Sequence, residues 1–356
     1  MVLPLYLFNK KIFNIIRDEI KYPLKSFLYM SYRSGFINLN NIGCENCTSD
    51  SGWGCMIRCC QMLLSKCLIQ KKIFDFFLQK KALIDNNIMT QIRKEVLCLF
   101  YDNYLGFELA REHPDLQKFW RKYEIIANSD PAYNSISEII PPYSIHILCK
   151  FGKCTGEFTS NLKMINLFCK INSELFSDLN FIHFDNGVIS RKKLLNNFCE
   201  ECTDFNNSDI ITYNGIDYRF KNPGIIFISI RLGLYDLEPQ YYDFIPLIFS
   251  KFRNNFGFVS GKKNRAYYFI GIQDDNKLIL VDPHLIQQMG NNFEKDYESY
   301  YTDNLYLLDI KDLSSSLTLA VGVFNSKQFA EFLEDLKWFD KNDKYKEIIY
   351  FGKDPY

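Results

Sequence analysis

Apolar residues recur along the first half of the chain with a helical period. Met56, Cys59, Cys60, Leu63, Leu64, Cys67 and Leu68 fall at i, i+3, i+4, i+7, i+8 and onward, one face of a helix predicted over residues 55–69. Further helices are predicted around 10–21 and over 88–104, and residues 143–150 and 161–171 are periodic on either side of a glycine-containing turn. Later the pattern changes. Residues 180–184, 224–230, 266–273, 278–282 and 318–324 are short apolar runs bounded by turn residues, which predicts strands. Gln273-Asp-Asp-Asn-Lys277 reads as the hairpin turn between two of them. Helices are predicted again at 238–252 and 326–339. Helices first and mostly antiparallel strands later indicate an α+β architecture.

Composition narrows the class. With 356 residues, 47% of them apolar and 24% charged, the chain can bury a sizeable core and has the balance of a soluble globular protein. No internal repeat or low-complexity linker divides it. Lys plus Arg equals Asp plus Glu at 42 each, so no global field draws it to nucleic acid, and no nucleic-acid partner is expected. The apolar residues 1–8 are too short to span a membrane. No basic region precedes them, and Lys10-Lys11 follow without a small-residue cleavage site. They are not read as a secretory signal, and a cytoplasmic location is expected.

In that compartment the twelve cysteines are expected to be free thiols. Two Cys-x-x-Cys pairs, Cys44–Cys47 and Cys199–Cys202, could jointly hold zinc. They lie far apart in sequence, and Glu200-Glu201 sits inside the second. Ordinary thiols are the expectation, and no metal or cofactor is assigned. The adjacent Cys59-Cys60 pair is expected to pack as small apolar residues.

The candidate chemistry begins at Thr48-Ser-Asp-Ser-Gly-Trp-Gly-Cys55. Cys55 stands where a glycine-rich turn runs into the strongest helical period. At a helix N-terminus, free N–H groups and the macrodipole favour an anion, so a thiolate is favoured there. Gly52 and Gly54 permit a tight turn, and Trp53 could wall the site beside the sulfur. The bland reading is that Cys55 only caps a buried helix.

Four histidines compete as its base. His113 precedes Pro114 among charged residues, and His146 lies within an apolar run. His183 is the rival, with Asp185 nearby but bulky neighbours on both sides. His284 ends Leu-Val-Asp-Pro-His where a strand opens into a loop, two residues after Asp282. A carboxylate there would fix the imidazole tautomer and support the imidazolium. A solvated Pro turn is the alternative.

Together these motifs resemble the autophagins, cysteine endopeptidases that process a ubiquitin-like autophagy modifier. The similarity runs through Thr48 to Met62, Ile230-Arg-Leu-Gly-Leu234, Tyr268-Phe-Ile-Gly271 to Gln287 and Leu319 to Phe324, and covers residues 22–339. It implies one papain-like unit over 1–356, with a small auxiliary lobe at about 170–222. It implies Cys55, His284 and Asp282 as the triad, with Tyr32 and the Cys55 N–H forming the oxyanion hole. Trp53, Arg231, Phe158, Lys263 and Asn264 match substrate-side positions.

The implied reaction needs no cofactor. It is cleavage after a glycine near the modifier's C-terminus, maturing the precursor and later releasing the modifier from phosphatidylethanolamine. Contact with autophagic membranes would be peripheral, through the substrate. A catalytically dead modifier-binding protein and a thiol deconjugase for another ubiquitin-like protein stand as alternatives.

Three departures from the family pattern bear on gating. Phe158 stands where Trp is usual, Ser160-Asn161 replaces Gly-Pro, and Ser260-Gly-Lys-Lys-Asn264 has Lys263 at a usual proline. In addition, Tyr267 replaces a common histidine. These imply two loops that close loosely, leaving Cys55 more accessible without substrate than in family members with Trp and proline there. Tyr345-Lys-Glu-Ile348 is a candidate docking motif that could add as a strand to the modifier, set against an ordinary helix end.

Overall fold

The computed structural model describes residues 24–39, 46–81, 84–103, 141–175, 178–202, 209–273, 276–290 and 292–352. It also describes the backbone of two short strands, Leu5–Leu7 and Lys10–Ile12. The expected helix at 10–21 therefore begins as a strand. Lys10–Ile12 pairs with Leu5–Leu7, which in turn adds to the central sheet, and the rest of that segment lies outside the described residues.

Seven helices and nine strands position the site. Helices α1 (Cys55–Lys80), α2 (Asn86–Leu97), α3 (Ile145–Gly152) and α4 (Asn161–Leu175) come first. They are followed by α5 (Arg191–Phe198), α6 (Phe244–Lys251) and α7 (Ser326–Asp340). The strands are β1 (Tyr32–Ser34), β2 (Asn180–Phe184), β3 (Gly224–Asp236), β4 (Asn255–Lys262) and β5 (Arg265–Gln273). Then come β6 (Lys277–Val281), β7 (Ile286–Gln288), β8 (Tyr306–Asp309) and β9 (Ser314–Val323).

The central sheet runs β8-β6-β5-β4-β9-β3-β2. Every pair along it is antiparallel except β3 with β2. Strand alternation sends consecutive residues to opposite faces. Ile225, Phe227, Tyr268 and Ile270 join a core with α1 to α4, while Ile226, Ile228, Phe269 and Leu319 join one with α5, α6 and α7. The protein is thus α+β, a sheet covered by helices on both sides. A separate three-stranded sheet, Cys199–Glu201, Ile210–Tyr213 and Ile216–Phe220, packs Ile211 and Tyr213 into the second core.

Two alternatives that the sequence left open are not supported by this layering. Cys47 packs on the α1 side and Cys199 on the other, so the two Cys-x-x-Cys pairs do not converge; Cys44 lies outside the described residues. The Tyr345–Ile348 segment is no free strand. It is a helical turn, with the Ile348 N–H bonded to the Tyr345 carbonyl, and its apolar residues face inward. Tyr345 stacks on Trp338 with ring centroids 6.0 Å apart, and Ile348 is buried in the core, so neither side chain is available to a partner's pockets.

Element bounds shifted for local reasons. Helix α1 continues to Lys80, held by the i,i+4 pair Lys71–Asp75 at 2.6 Å. The helix expected at 88–104 stops at Leu97; Asp85 caps its start, accepting from the Ile88 N–H at 2.8 Å. The segment 238–252 splits into a 3-10 turn at Pro239–Tyr241 and α6, because Pro239 and Pro246 each lack an N–H.

The expected gating loop at 260–264 is not a loop. Strand β4 runs through Ser260 and Gly261 to Lys262, and β5 begins at Arg265. Lys263 and Asn264 form a two-residue hairpin turn with φ of 43° and 66°. Positive φ at both positions is the turn whose twist matches paired strands. Proline, locked near φ −65°, cannot occupy Lys263's place without rebuilding the hairpin. Lys263→Pro should therefore lower the unfolding free energy by about 2–3 kcal/mol, and Lys263→Gly should change it by less than about 1 kcal/mol. Urea unfolding checks both; a proline variant as stable as its parent would rule out this turn.

Candidate active site

The turn before α1 requires its two glycines. Gly52 has φ +87°, and a Cβ on Gly54 would meet Asp50 Oδ2 at 2.4 Å. Asp50 needs that space. Its carboxylate accepts from the Arg33 N–H at 2.7 Å and from Arg58 Nε at 2.7 Å. Arg58 also donates to Asp102 at 2.6 Å, and Asp102 accepts from the Ile145 N–H that begins α3. Gly54 caps α1 with no side chain, so no side-chain oxygen occupies the helix N-terminus beside Cys55. The dipole there is free to favour a negative sulfur. Trp53 is buried rather than open to a cleft, its Nε1 donating to the Ser49 carbonyl at 3.2 Å.

A second junction brings the remaining groups. Strands β1 and β7 pair in parallel, Tyr32 opposite Ile286, and the Tyr32 N–H donates to the Pro283 carbonyl at 2.8 Å. This register sets the Tyr32 ring edge-on to His284, with centroids 5.3 Å apart. The Tyr267 ring meets His284 from another direction at 5.5 Å. His284 Nδ1 bonds Asp282 Oδ1 at 2.5 Å, and the His284 N–H donates to the same oxygen at 2.9 Å. Tyr29 Oη donates to the Asp282 carbonyl at 2.9 Å.

Electrostatics follow from these contacts. Burial alone would raise the Cys55 thiol. Hydrogen bonds to the sulfur from His284, the Ala266 backbone and Tyr32, with the His284 charge, bring it below its ordinary value. Burial disfavours the His284 cation, yet Asp282 and Cys55 offset this and push it up to about 9. Burial raises Asp282, but the two hydrogen bonds from His284 hold it below the usual carboxylate range. Burial and the Cys55 charge raise the Tyr32 hydroxyl, which stays a protonated donor. The arrangement favours a thiolate–imidazolium pair with a neutral hydroxyl beside the sulfur.

The rival histidines are otherwise engaged. His183 lies on β2, four strands from the β5 backbone that touches Cys55, or roughly 19 Å at strand spacing. Its ring is held by Asn166 and Ser229, each at 2.8 Å. His146 is buried, with Nε2 on the Ile37 carbonyl at 2.7 Å, and His113 lies outside the described residues.

Of the substrate-side candidates, Arg231 is exposed on β3. Its guanidinium donates to the Gly233 and Leu234 carbonyls at 3.1 and 2.8 Å, beside the exposed Leu234 and Tyr235. Phe158 is 63% exposed and Cys55 is 2% exposed. Tyr32, His284 and the β5 backbone hold the sulfur, and Phe158 does not clamp it shut. Among the described residues, no group of three or more His, Cys, Asp or Glu could hold a metal.

Sequence reasoning missed the Asp50–Arg58–Asp102 brace. Asp50 and Arg58 lie within the nucleophile motif, but nothing in the sequence marks Asp102. Arg58→Met leaves two buried carboxylates unpaired and should cost about 3–5 kcal/mol in urea unfolding; a loss under 1 kcal/mol would mean that the brace is dispensable. The imidazolium should show itself in pH. Because folding raises the His284 pKa from 6.5 to about 9, its stabilisation is complete below pH 6.5 and fades as pH rises through 9. Alkylation of Cys55 by iodoacetamide should titrate below the usual thiol range, and His284→Ala should move that titration up. An unchanged midpoint in the variant would uncouple the pair.

Comparison with known proteins identifies the family. The profile of the peptidase C54 catalytic domain matches residues 17–335. Cysteine protease ATG4C of Xenopus tropicalis is 24% identical over 349 residues, covering 90% of this chain and 70% of that protein. Cysteine protease ATG4 of Candida albicans is 26% identical over 319 residues, covering 87% of this chain and 56% of that one. Cysteine protease ATG4A of Homo sapiens is 24% identical over 337 residues, covering 88% and 73%. The chain belongs to the peptidase C54 family, the autophagins, and is a cysteine-type peptidase of autophagy.

Proposed function

We propose that Cys55, His284 and Asp282 are the catalytic triad of a papain-like endopeptidase that cuts after a glycine near the C-terminus of a ubiquitin-like autophagy modifier. The observation that carries the reading is the chain of contacts from Asp282 through His284 to a Cys55 sulfur at a helix N-terminus, with the Tyr32 hydroxyl beside it. The thiolate attacks the scissile carbonyl and a C–S bond forms. The Tyr32 hydroxyl and the Cys55 N–H donate to the oxyanion. Because Asp282 occupies Nδ1, Nε2 of His284 gives its proton to the leaving nitrogen, and the C–N bond breaks. Water, deprotonated by His284, then hydrolyses the thioester.

A glycine at the scissile bond fits a sulfur that is 2% exposed, since a side chain there would have to displace its cover. The same chemistry serves two substrates, the precursor and the amide to phosphatidylethanolamine. Trp53, Arg231, Phe158, Lys263 and Asn264 are assigned to the substrate side, and α5 with the small three-stranded sheet to the auxiliary lobe. The enzyme would act in the cytoplasm and reach autophagic membranes through its lipid-conjugated substrate.

Mass spectrometry of a modifier precursor before and after incubation tests the reading. Loss of the residues beyond one glycine is expected. Cys55→Ala and His284→Ala should lose activity by orders of magnitude, Asp282→Ala less, and His183→Ala little. An inactive but folded His183→Ala would show that the base was chosen wrongly.

A further inference from the structure

Three consecutive residues at the start of β5 surround the candidate reacting groups. The Ala266 backbone bonds the Cys55 sulfur, and the next residue, Tyr267, meets the His284 ring. Strand alternation sends their side chains to opposite faces, and Ala266 and Tyr267 do lie in the two different cores. Arg265, two residues before Tyr267, shares its face. Register brings Asp282 to the same place. Tyr268 pairs with Val281 of antiparallel β6, so one step further Tyr267 stands opposite Asp282. Arg265, Tyr267 and Asp282 line one pocket of about 410 Å³, on the side of the imidazole where Nδ1 bonds the carboxylate.

The contacts within this group form a chain. The Arg265 guanidinium, exposed beside the two-residue hairpin turn, donates to the Tyr267 hydroxyl. The Tyr267 ring, 9% exposed, stands 5.5 Å from the imidazole with the planes at 63°. Burial raises the Tyr267 hydroxyl, so the ring stays neutral beside the base. Arg265 also reaches the carboxylate: burial raises Asp282, and the Arg265 charge joins the His284 hydrogen bonds in holding it below the usual range. The other ionisable neighbours are Cys55 and Tyr32 at the imidazole, Tyr29 and Cys59 beside Asp282, and Lys262 and Lys263 on the pocket wall.

A bond at one nitrogen leaves an imidazole free to swing about it. Tyr32 blocks one approach. Without Tyr267, space the size of a phenyl ring opens at another, and water reaches the Asp282–His284 bond, which weakens as the local dielectric rises. We propose that Tyr267 and Arg265 are positioning residues for the base: the guanidinium fixes the hydroxyl, the hydroxyl fixes the ring, and the ring keeps His284 on Asp282 and Cys55. This rests on the reading of His284 as the base. Both residues act through His284 and Asp282, and neither gains or loses a proton in the reaction.

Iodoacetamide titration of Cys55 reads the coupling without any substrate. Tyr267→Leu removes the ring and should raise the alkylation midpoint by about one pH unit. It should also lower kcat on a ubiquitin-like modifier precursor about tenfold, with KM changed less than about twofold. Tyr267→Phe keeps the ring and loses only its anchor, so it should restore all but about threefold of that rate. Arg265→Gln removes the same hydrogen bond from the other end and should match Tyr267→Phe. The two substitutions together should be no slower than either alone. These losses should persist at about 1 M salt, where an exposed charge is screened.

An unchanged midpoint in Tyr267→Leu, with only a lower stability in urea, would make Tyr267 a packing residue and overturn the proposal. If Tyr267→Leu does not fold, the other pair decides: additive losses from Tyr267→Phe and Arg265→Gln overturn it. Losses confined to KM would make these residues substrate contacts, and losses abolished by salt would reduce Arg265 to a field effect; either result overturns it. A parent midpoint in the ordinary thiol range, unmoved by His284→Ala, would sink the reading of the base. Coupling in the parent with no response to Tyr267→Leu would sink the positioning role alone.

Discussion

A guanidinium and two carboxylates, none reached by solvent, meet at the first turn of α1: Arg58 with Asp50 and Asp102. Burial pushes the Asp50 carboxyl up even beside Arg58, the direction expected where one cation serves two anions. Such a group is weak evidence for stability, because desolvation consumes most of the Coulombic gain. Its consequence is positional. Asp50 exchanges hydrogen bonds with Arg33, the residue after Tyr32, and Asp102 holds the first N–H of α3. One side chain therefore fixes the start of the Cys55 helix, the strand bearing Tyr32 and the helix that leads toward Phe158. Gly54 is the cost of that closeness, since any Cβ there would strike Asp50.

The base comes from the sheet and meets this brace through β1. Strand β6 delivers Asp282 at its end, Pro283 turns the chain, and β7 pairs with β1 so that Tyr32 and His284 face each other. The imidazole is then limited by Asp282 on one nitrogen and by the Tyr32 and Tyr267 rings. A ring held on several sides loses little freedom when it reacts, and such preorganisation supplies part of a catalytic barrier. Nucleophile and base thus come from separate layers, helix and sheet, joined through the short β1–β7 ladder.

Much of this was legible in the sequence. The period through Met56 and Leu68 predicted α1, and strand runs such as 180–184 matched their elements, because half-buried elements impose their period on the residues. What was missed lacks that imprint. Strand β4 carries Gly257 at φ +86° and a register shift between Asn255 and Phe258, so its alternation is broken and no strand was predicted there; the gating loop at 260–264 came from the family resemblance. The three-residue strands β1 and β7 are too short to show a period, yet they set the site. Cys55, Asp282 and His284 stood out because a glycine-rich turn enters the strongest helical period at Cys55 and an apolar strand run ends at Asp282-Pro-His284. Asp102 did not, since a lone aspartate gives no sign that it meets a buried arginine 44 positions earlier.

Access to the sulfur is decided by what can move. The hairpin at Lys263–Asn264 is a tight turn between paired strands, and lifting it alone would break the β4–β5 ladder. The loop after α3 is differently placed: Phe158 projects into solvent, and Ser160 and Asn161 begin α4 without proline to stiffen them. Asn161 and Ser316 approach each other at 3.5 Å, and Ser260 donates to the Ser316 carbonyl at 2.7 Å. A displacement of the Phe158 loop would therefore be felt at β9 and β4 through this polar contact. The local cost is a few exchangeable hydrogen bonds, whereas opening the hairpin would forfeit strand pairing. Displacing the loop would therefore cost less than opening the hairpin.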